Sequence, residues 1–189
     1  MIPREGGCVV KLRATEPTPR LPLEIGAARL AAVDAGQVTS VAPYPGCDVT
    51  PVLASAGLAF PAPNSMAASG ALRIVWAGRE MAFLLGGPAP EGLEDLAALS
   101  DQSDGWVFVQ LTGAAARDVL ARVTPLDLRD AAMPVASAAR TLINHMPALI
   151  LHNAPQAYEI AVFRSMAATL VEELEAAMTA VAARAELTA

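Results

Sequence analysis

Serine, histidine and aspartate are all present in this chain, but nowhere at a spacing that makes a catalytic centre. Ser103, Asp104 and His145 can be assembled on paper into a nucleophile, an orienting carboxylate and a base. No serine, however, sits in the Gly-x-Ser-x-Gly elbow that lifts a nucleophile above a sheet. His145 and His152 flank a predicted strand and lack a Cys, Asp or Glu at the spacing a metal needs. They read as hairpin residues whose polar side faces outward. Asp101 and Asp104 stand three apart, a spacing open to acid–base work. The run Asp101-Gln102-Ser103-Asp104-Gly105 reads better as a turn, with Asp side chains bonding the local backbone.

Phosphate and amine chemistry are equally hard to place. The sequence holds neither a Gly-x-Gly-x-x-Gly after a strand nor a Gly-x-x-x-x-Gly-Lys-Ser/Thr loop. Gly86-Gly87 is followed by Pro88, which lacks the N–H that a phosphate nest would use. Lys11 is the only lysine and lies in a loose N-terminal stretch, which disfavours Schiff-base catalysis. Cys8 and Cys47 are too few for a disulfide framework. The expectation is therefore no catalytic, cofactor-binding or metal-ligating residue in this chain, and no cofactor of its own. Trp76 and Trp106 read as core or interface anchors, and Trp76 with Phe83 are the candidate interface residues if exposed.

Bulk composition narrows the partners. A net charge of −6 argues against nucleic acid and against an anionic membrane surface. No stretch reads as a signal peptide or a transmembrane helix, which suits a reducing cytoplasm. Charged residues make up only 17% of the 189, against 54% apolar. That balance fits either an alanine-rich chain or a face buried against another protein, a second copy included.

The elements that must position these residues follow from punctuation and period. Residues 1–20, rich in Pro and Gly, read as a loose arm with one short strand at Cys8–Leu12. Strand-like pieces follow at 21–33 and 37–41. Thr50 reads as the N-cap of a short helix, with Pro51 in its first turn and Gly57 as its left-handed close. Residues 72–85 read as a β-hairpin with a four-residue connection at 77–80, and 93–99 as a short helix. Trp106–Leu111 is apolar on nearly both faces and reads as a central strand. Thr112 reads as the cap of a helix over 113–123, and Ser165 as the cap of the last helix. That helix carries Met166, Leu170, Leu174, Met178 and Val181 on one stripe. Three strands lie between the two helices, at 140–144, 148–151 and 158–163. This order predicts an α+β fold of largely antiparallel sheet, in two similar subdomains at 21–98 and 99–189 behind the arm.

Several ordered strings resemble the gamma subunit of heterotetrameric sarcosine oxidase. They are Gly57-Leu58-Ala59-Phe60-Pro61 with Asn64, Leu72-Arg73-Ile74-Val75-Trp76-Ala77-Gly78, and Met81-Ala82-Phe83-Leu84-Leu85. Asp101 to Gly105, 111–120, 125–128, 139–142 and 164–167 continue the likeness, which covers residues 55–180. The resemblance implies the duplicated, strand-exchanged fold of the folate-binding domain of glycine-cleavage aminomethyltransferase. It implies an accessory, non-catalytic subunit of a complex that oxidatively demethylates sarcosine to glycine, linked to tetrahydrofolate. FAD, FMN, NAD, tetrahydrofolate and zinc would then belong to the partner alpha, beta and delta subunits. Ala114 and the run 135–138 depart from the family's pattern. No carboxylate lies between Asp130 and Glu159, where an aminomethyltransferase would carry its catalytic aspartate. The alternatives are a stand-alone folate- or one-carbon-binding protein and a ligand-free scaffold module.

Overall fold

The computed structural model describes residues 15–188. Much of the proposed arm, including the Cys8–Leu12 strand and Lys11, lies outside them. Among the described residues, eleven strands form two antiparallel sheets. The six-stranded sheet runs in the order β1 (Leu23–Ile25), β2 (Ala28–Val33), β8 (Trp106–Thr112), β11 (Ala157–Phe163), β10 (Met146–Ala154), β9 (Ser137–Ile143). The five-stranded sheet runs β4 (Met66–Ser69), β5 (Leu72–Gly78), β6 (Met81–Leu85), β3 (Val38–Pro43), β7 (Ala97–Asp101). Strands from residues 23–33 thus sit in one sheet with strands from 106–163, while β7, which straddles residues 98 and 99, pairs with β3.

Alternation along the strands dictates the layers. On β8, Val107, Val109 and Leu111 face one way and Trp106 and Phe108 the other, because successive side chains leave a strand on opposite faces. The first set meets Val119 and Leu120 of α2 (Ala116–Leu120) and Leu170 and Leu174 of α3 (Ala167–Thr188). The second set enters a layer between the sheets, with Val75, Phe83 and Leu85 from one side and Leu149, Leu151 and Ala161 from the other. The far face of the five-stranded sheet is covered by α1 (Thr50–Ser55) through Leu53, packed on Ile74 and Leu84. With β2 and β11 on its two sides, β8 is the central strand its two apolar faces require.

Local departures from the sequence reading have physical causes. Residues 93–99 do not form a helix. Leu93 to Leu96 make a single turn, and the chain then joins β3 as β7, with Val41 opposite Leu99. Leu93 and Ala97 are buried by that turn and strand, so their spacing mimicked a helical face. Thr112 ends β8 instead of capping a helix. Gly113 (φ +109°) turns the chain across β2, and α2 starts only at Ala116, with no side-chain cap. A Cβ on Gly113 would lie 2.3 Å from the Ala27 carbonyl oxygen, which no other residue could accept there. Thr50 is likewise inside α1, and Asp48 Oδ1 takes up the Thr50 N–H at 2.9 Å. Ser165 lies in a 3₁₀ turn (Arg164–Met166) with no side-chain cap. The β5–β6 connection is two residues, Arg79 and Glu80, because a bulge between Trp76 and Gly78 absorbs the rest. Gly57, at φ +71°, follows α1 as its period demands.

Leu120 is fully buried between α2 and the six-stranded sheet. Leu120→Ala is expected to lower stability by about 2–5 kcal/mol, the range for truncating a buried leucine. Urea melts measure it, and a loss under about 0.5 kcal/mol would mean that α2 does not pack as described.

Candidate functional site

The residues read as a nucleophile, a carboxylate and a base do not meet. Ser103 lies in the β7–β8 turn, where its hydroxyl donates to Asp101 Oδ1 at 2.6 Å and accepts the Val38 N–H at 3.0 Å. His145 is exposed in the β9–β10 turn, and β11 separates β10 from β8. Asp101 accepts the Ser103 N–H at 2.9 Å as well, the turn chemistry its sequence suggests. The Ser103 hydroxyl and backbone N–H hold the Asp101 carboxyl below the ordinary carboxylate range.

His152 departs from the sequence reading. It is 1% exposed, not outward-facing. It follows Leu149-Ile150-Leu151 on β10 and shares a face with Ile150, so alternation drives it inward. Its ring stacks on Tyr158 of β11, directly opposite it, with centroids 4.6 Å apart and planes 11° from parallel. Its Nδ1 lies 2.8 Å from the Met133 carbonyl oxygen. A carbonyl only accepts, so Nδ1 carries a proton. Among the described residues nothing bonds its Nε2. Tyr158 accepts the Arg117 Nε–H at 3.3 Å, and Arg117 also pairs with Asp130. Both partners raise the Arg117 pKa above its ordinary value, Tyr158 most. These side chains border a cavity of about 550 Å³ between α2, the loop before β9 and the β10–β11 turn.

A second polar group occupies the layer between the sheets. Glu159 is 3% exposed and accepts two bonds from Arg73 of β5, at 2.8 and 3.0 Å. Asn153 Nδ2 donates a third at 2.8 Å. Neither Glu159 nor Arg73 was singled out from the sequence. The signal available was a lone charge inside an apolar strand, in Tyr158-Glu159-Ile160 and in Leu72-Arg73-Ile74. Three donors thus meet the carboxylate, two from the facing sheet and one from its own.

Of the two candidate interface aromatics, Phe83 does not meet the condition of exposure. It lies in the inter-sheet layer, edge-on to Trp106 at 5.2 Å, and Trp106 packs on Phe163 at 4.6 Å. Trp76 is half-buried and shares with Ile74 the face directed away from that layer. Among the described residues no group of three His, Cys, Asp or Glu side chains converges as a metal site, and no helix is long and apolar enough to cross a membrane.

Residues 47–180 match the model of the sarcosine oxidase gamma subunit family. The chain belongs to that family. No curated protein matches the sequence significantly. Among solved structures, the chain is similar to one in the heterotetrameric sarcosine oxidase from Corynebacterium sp. U-96, in complex with pyrrole 2-carboxylate. The identity is 23% and the TM-score 0.73, over 85% of this chain and 88% of that one. It is also similar to the glycine cleavage system aminomethyltransferase T from Bartonella henselae, with 15% identity and a TM-score of 0.53. That match covers 79% of this chain and 46% of the other. These likenesses agree with the α+β, strand-exchanged architecture expected of the family.

The cavity's loop is held by its own ion pair. Asp127 accepts bonds from the side chain and the backbone N–H of Arg129, side chain first, which bring its carboxyl down to about 2. A depressed acid stabilises the fold above the ordinary carboxylate pKa near ~3.9, and that contribution fades as pH falls through the folded value. Arg129→Ala is expected to raise the Asp127 midpoint toward ~3.9 in an NMR titration. A midpoint still near 2 in the variant would show that the Arg129 side chain is not the main cause.

Proposed function

We propose that this chain works as the accessory, non-catalytic gamma-type subunit of a sarcosine oxidase complex, with no active site of its own. The match of residues 47–180 to the family model carries the reading. The fold likeness to a chain of a heterotetrameric sarcosine oxidase supports it. In this reading the oxidative demethylation of sarcosine to glycine takes place on partner alpha, beta and delta subunits in the cytoplasm. FAD, FMN, NAD, tetrahydrofolate and zinc reside there. The local use of Ser103, Asp101 and Glu159 is consistent with that division, since each is committed to holding backbone or a neighbouring sheet.

Trp76 is the anchor we assign to the partner surface. A half-buried tryptophan beside a hairpin tip is the kind of residue that dominates binding energy when it fills a pocket. The test is co-expression with the alpha, beta and delta subunits of a sarcosine oxidase, followed by gel filtration. The chain is expected to co-elute with a flavin-containing complex. Trp76→Ala should weaken that association at least tenfold while moving the melting temperature little. A chain that elutes alone at high micromolar concentration, or that oxidises sarcosine unaided, would overturn the reading.

A further inference from the structure

A row of apolar side chains crosses four strands at the lip of the layer between the sheets. Leu142 of β9 lies opposite Pro147 of β10, and Phe163 of β11 lies opposite Trp106 of β8. Ala148 pairs with Val162, which sets Pro147 beside Phe163 and completes the row. By alternation these residues share the face of Ala138, Leu149, Ala161 and Phe108, which meets the five-stranded sheet. At Trp106 the row is buried against Phe83. Further along, that cover ends, and Phe163 is 37% and Leu142 41% exposed. Single exposed apolar residues are ordinary, but neighbours in one register make a patch. Trp76 faces away from this layer, so the row is a separate surface.

Charge frames its exposed end. Arg140 stands two residues before Leu142 on the same face of β9, and Arg164 directly follows Phe163. Arg20, Arg29, Arg73, Arg117 and Arg129 each pair with an acid. Among the described residues Arg140 and Arg164 do not. Their guanidiniums donate instead to the carbonyl oxygens of Ala77 at 2.9 Å and Thr15 at 3.0 Å. A carbonyl fixes the head without neutralising it, and each guanidinium keeps donors to spare. Of the acids close by in the chain, Glu16 is engaged by Thr18, and Asp104 is exposed in the turn before β8. The two cations select the occupant. A second copy docked row to row would bring two more arginines to the same rim. Residues 1–14 carry Arg4, Lys11 and Arg13 against Glu5 alone. β9 and β11 stand two strand spacings apart, about 10 Å, the length of roughly three extended residues. We propose that the row receives a short apolar segment of a partner subunit that carries a carboxylate at each end. The carboxylates pair with Arg140 and Arg164, and Leu142, Pro147 and Phe163 cover the apolar residues between them. The inference rests on the subunit reading above.

The test uses the complex formed by co-expression with the alpha, beta and delta subunits of a sarcosine oxidase. A photo-cross-linking p-benzoylphenylalanine in place of Leu142 is irradiated in that complex, and mass spectrometry of the digest maps the bond. The expected product joins position 142 to a partner segment in which Asp or Glu flanks apolar residues. Leu142→Asp, at an exposed position, should leave the melting temperature little changed and weaken association about tenfold or more. If the Leu142→Asp chain does not fold, the cross-link decides. No complex with the unmodified chain would overturn this inference together with the subunit reading. A complex that Leu142→Asp leaves unweakened would overturn the docking surface alone. So would a missing cross-link, or one to a second copy, to residues 1–14 or to a segment without acids.

Discussion

A carboxylate enclosed between two sheets has to be met by something, and here it is met by one arginine. Glu159 points from β11 into the apolar layer that joins the sheets, and Arg73 points into the same layer from β5. Burying either charge alone costs several kcal/mol. The bidentate geometry, with Asn153 on the third side, therefore admits one placement of the five-stranded sheet over the six-stranded one. The Arg140 bond to the Ala77 carbonyl at 2.9 Å and the Ser65–Ser137 bridge lie at the edge that this placement brings together. The driving force for contact is the apolar layer itself, since a buried ion pair roughly breaks even against hydrophobic packing. What the pair adds is alignment.

That alignment also sets the His152 cavity. Glu159 faces the layer between the sheets, so Tyr158 and Ile160 must face the helices. Tyr158 then stacks on His152, and the loop carrying Met133 closes over both. One strand thus presents a structural charge on one face and hydrogen-bonding capacity on the other. The gamma-subunit reading is compatible with this economy.

Much of the fold was legible in the sequence because it is written in local period. The apolar run 106–111, the stripe from Leu170 to Met178 and the hairpin at 72–85 each carry their own signal. What was not legible depends on distant pairing. Residues 93–99 became turn and strand because β3 offered an open edge, and β4 is a short strand held by β5 and the Ser65–Ser137 bridge. The caps failed for a related reason. Thr112, Thr50 and Ser165 have the right chemistry, but β8 runs through Thr112, Asp48 serves Thr50, and a 3₁₀ turn takes Ser165. His152 was misread because a histidine after an apolar run looks like a strand end until the opposing strand is known to carry a tyrosine. Arg73 and Glu159 lie 86 residues apart, and only the folded sheets bring them together.

A double-mutant cycle on that pair tests the account most directly, using urea melts of Arg73→Met, Glu159→Leu and the two combined. Arg73→Met strands the buried Glu159 charge and should cost about 3–5 kcal/mol, Glu159→Leu leaves the part-exposed Arg73 unpaired and should cost less, and the combined variant should recover most of the loss by packing as an apolar pair. Single losses below about 1 kcal/mol, or a double variant as unstable as the sum of the singles, would show that the sheets do not depend on this contact for their alignment.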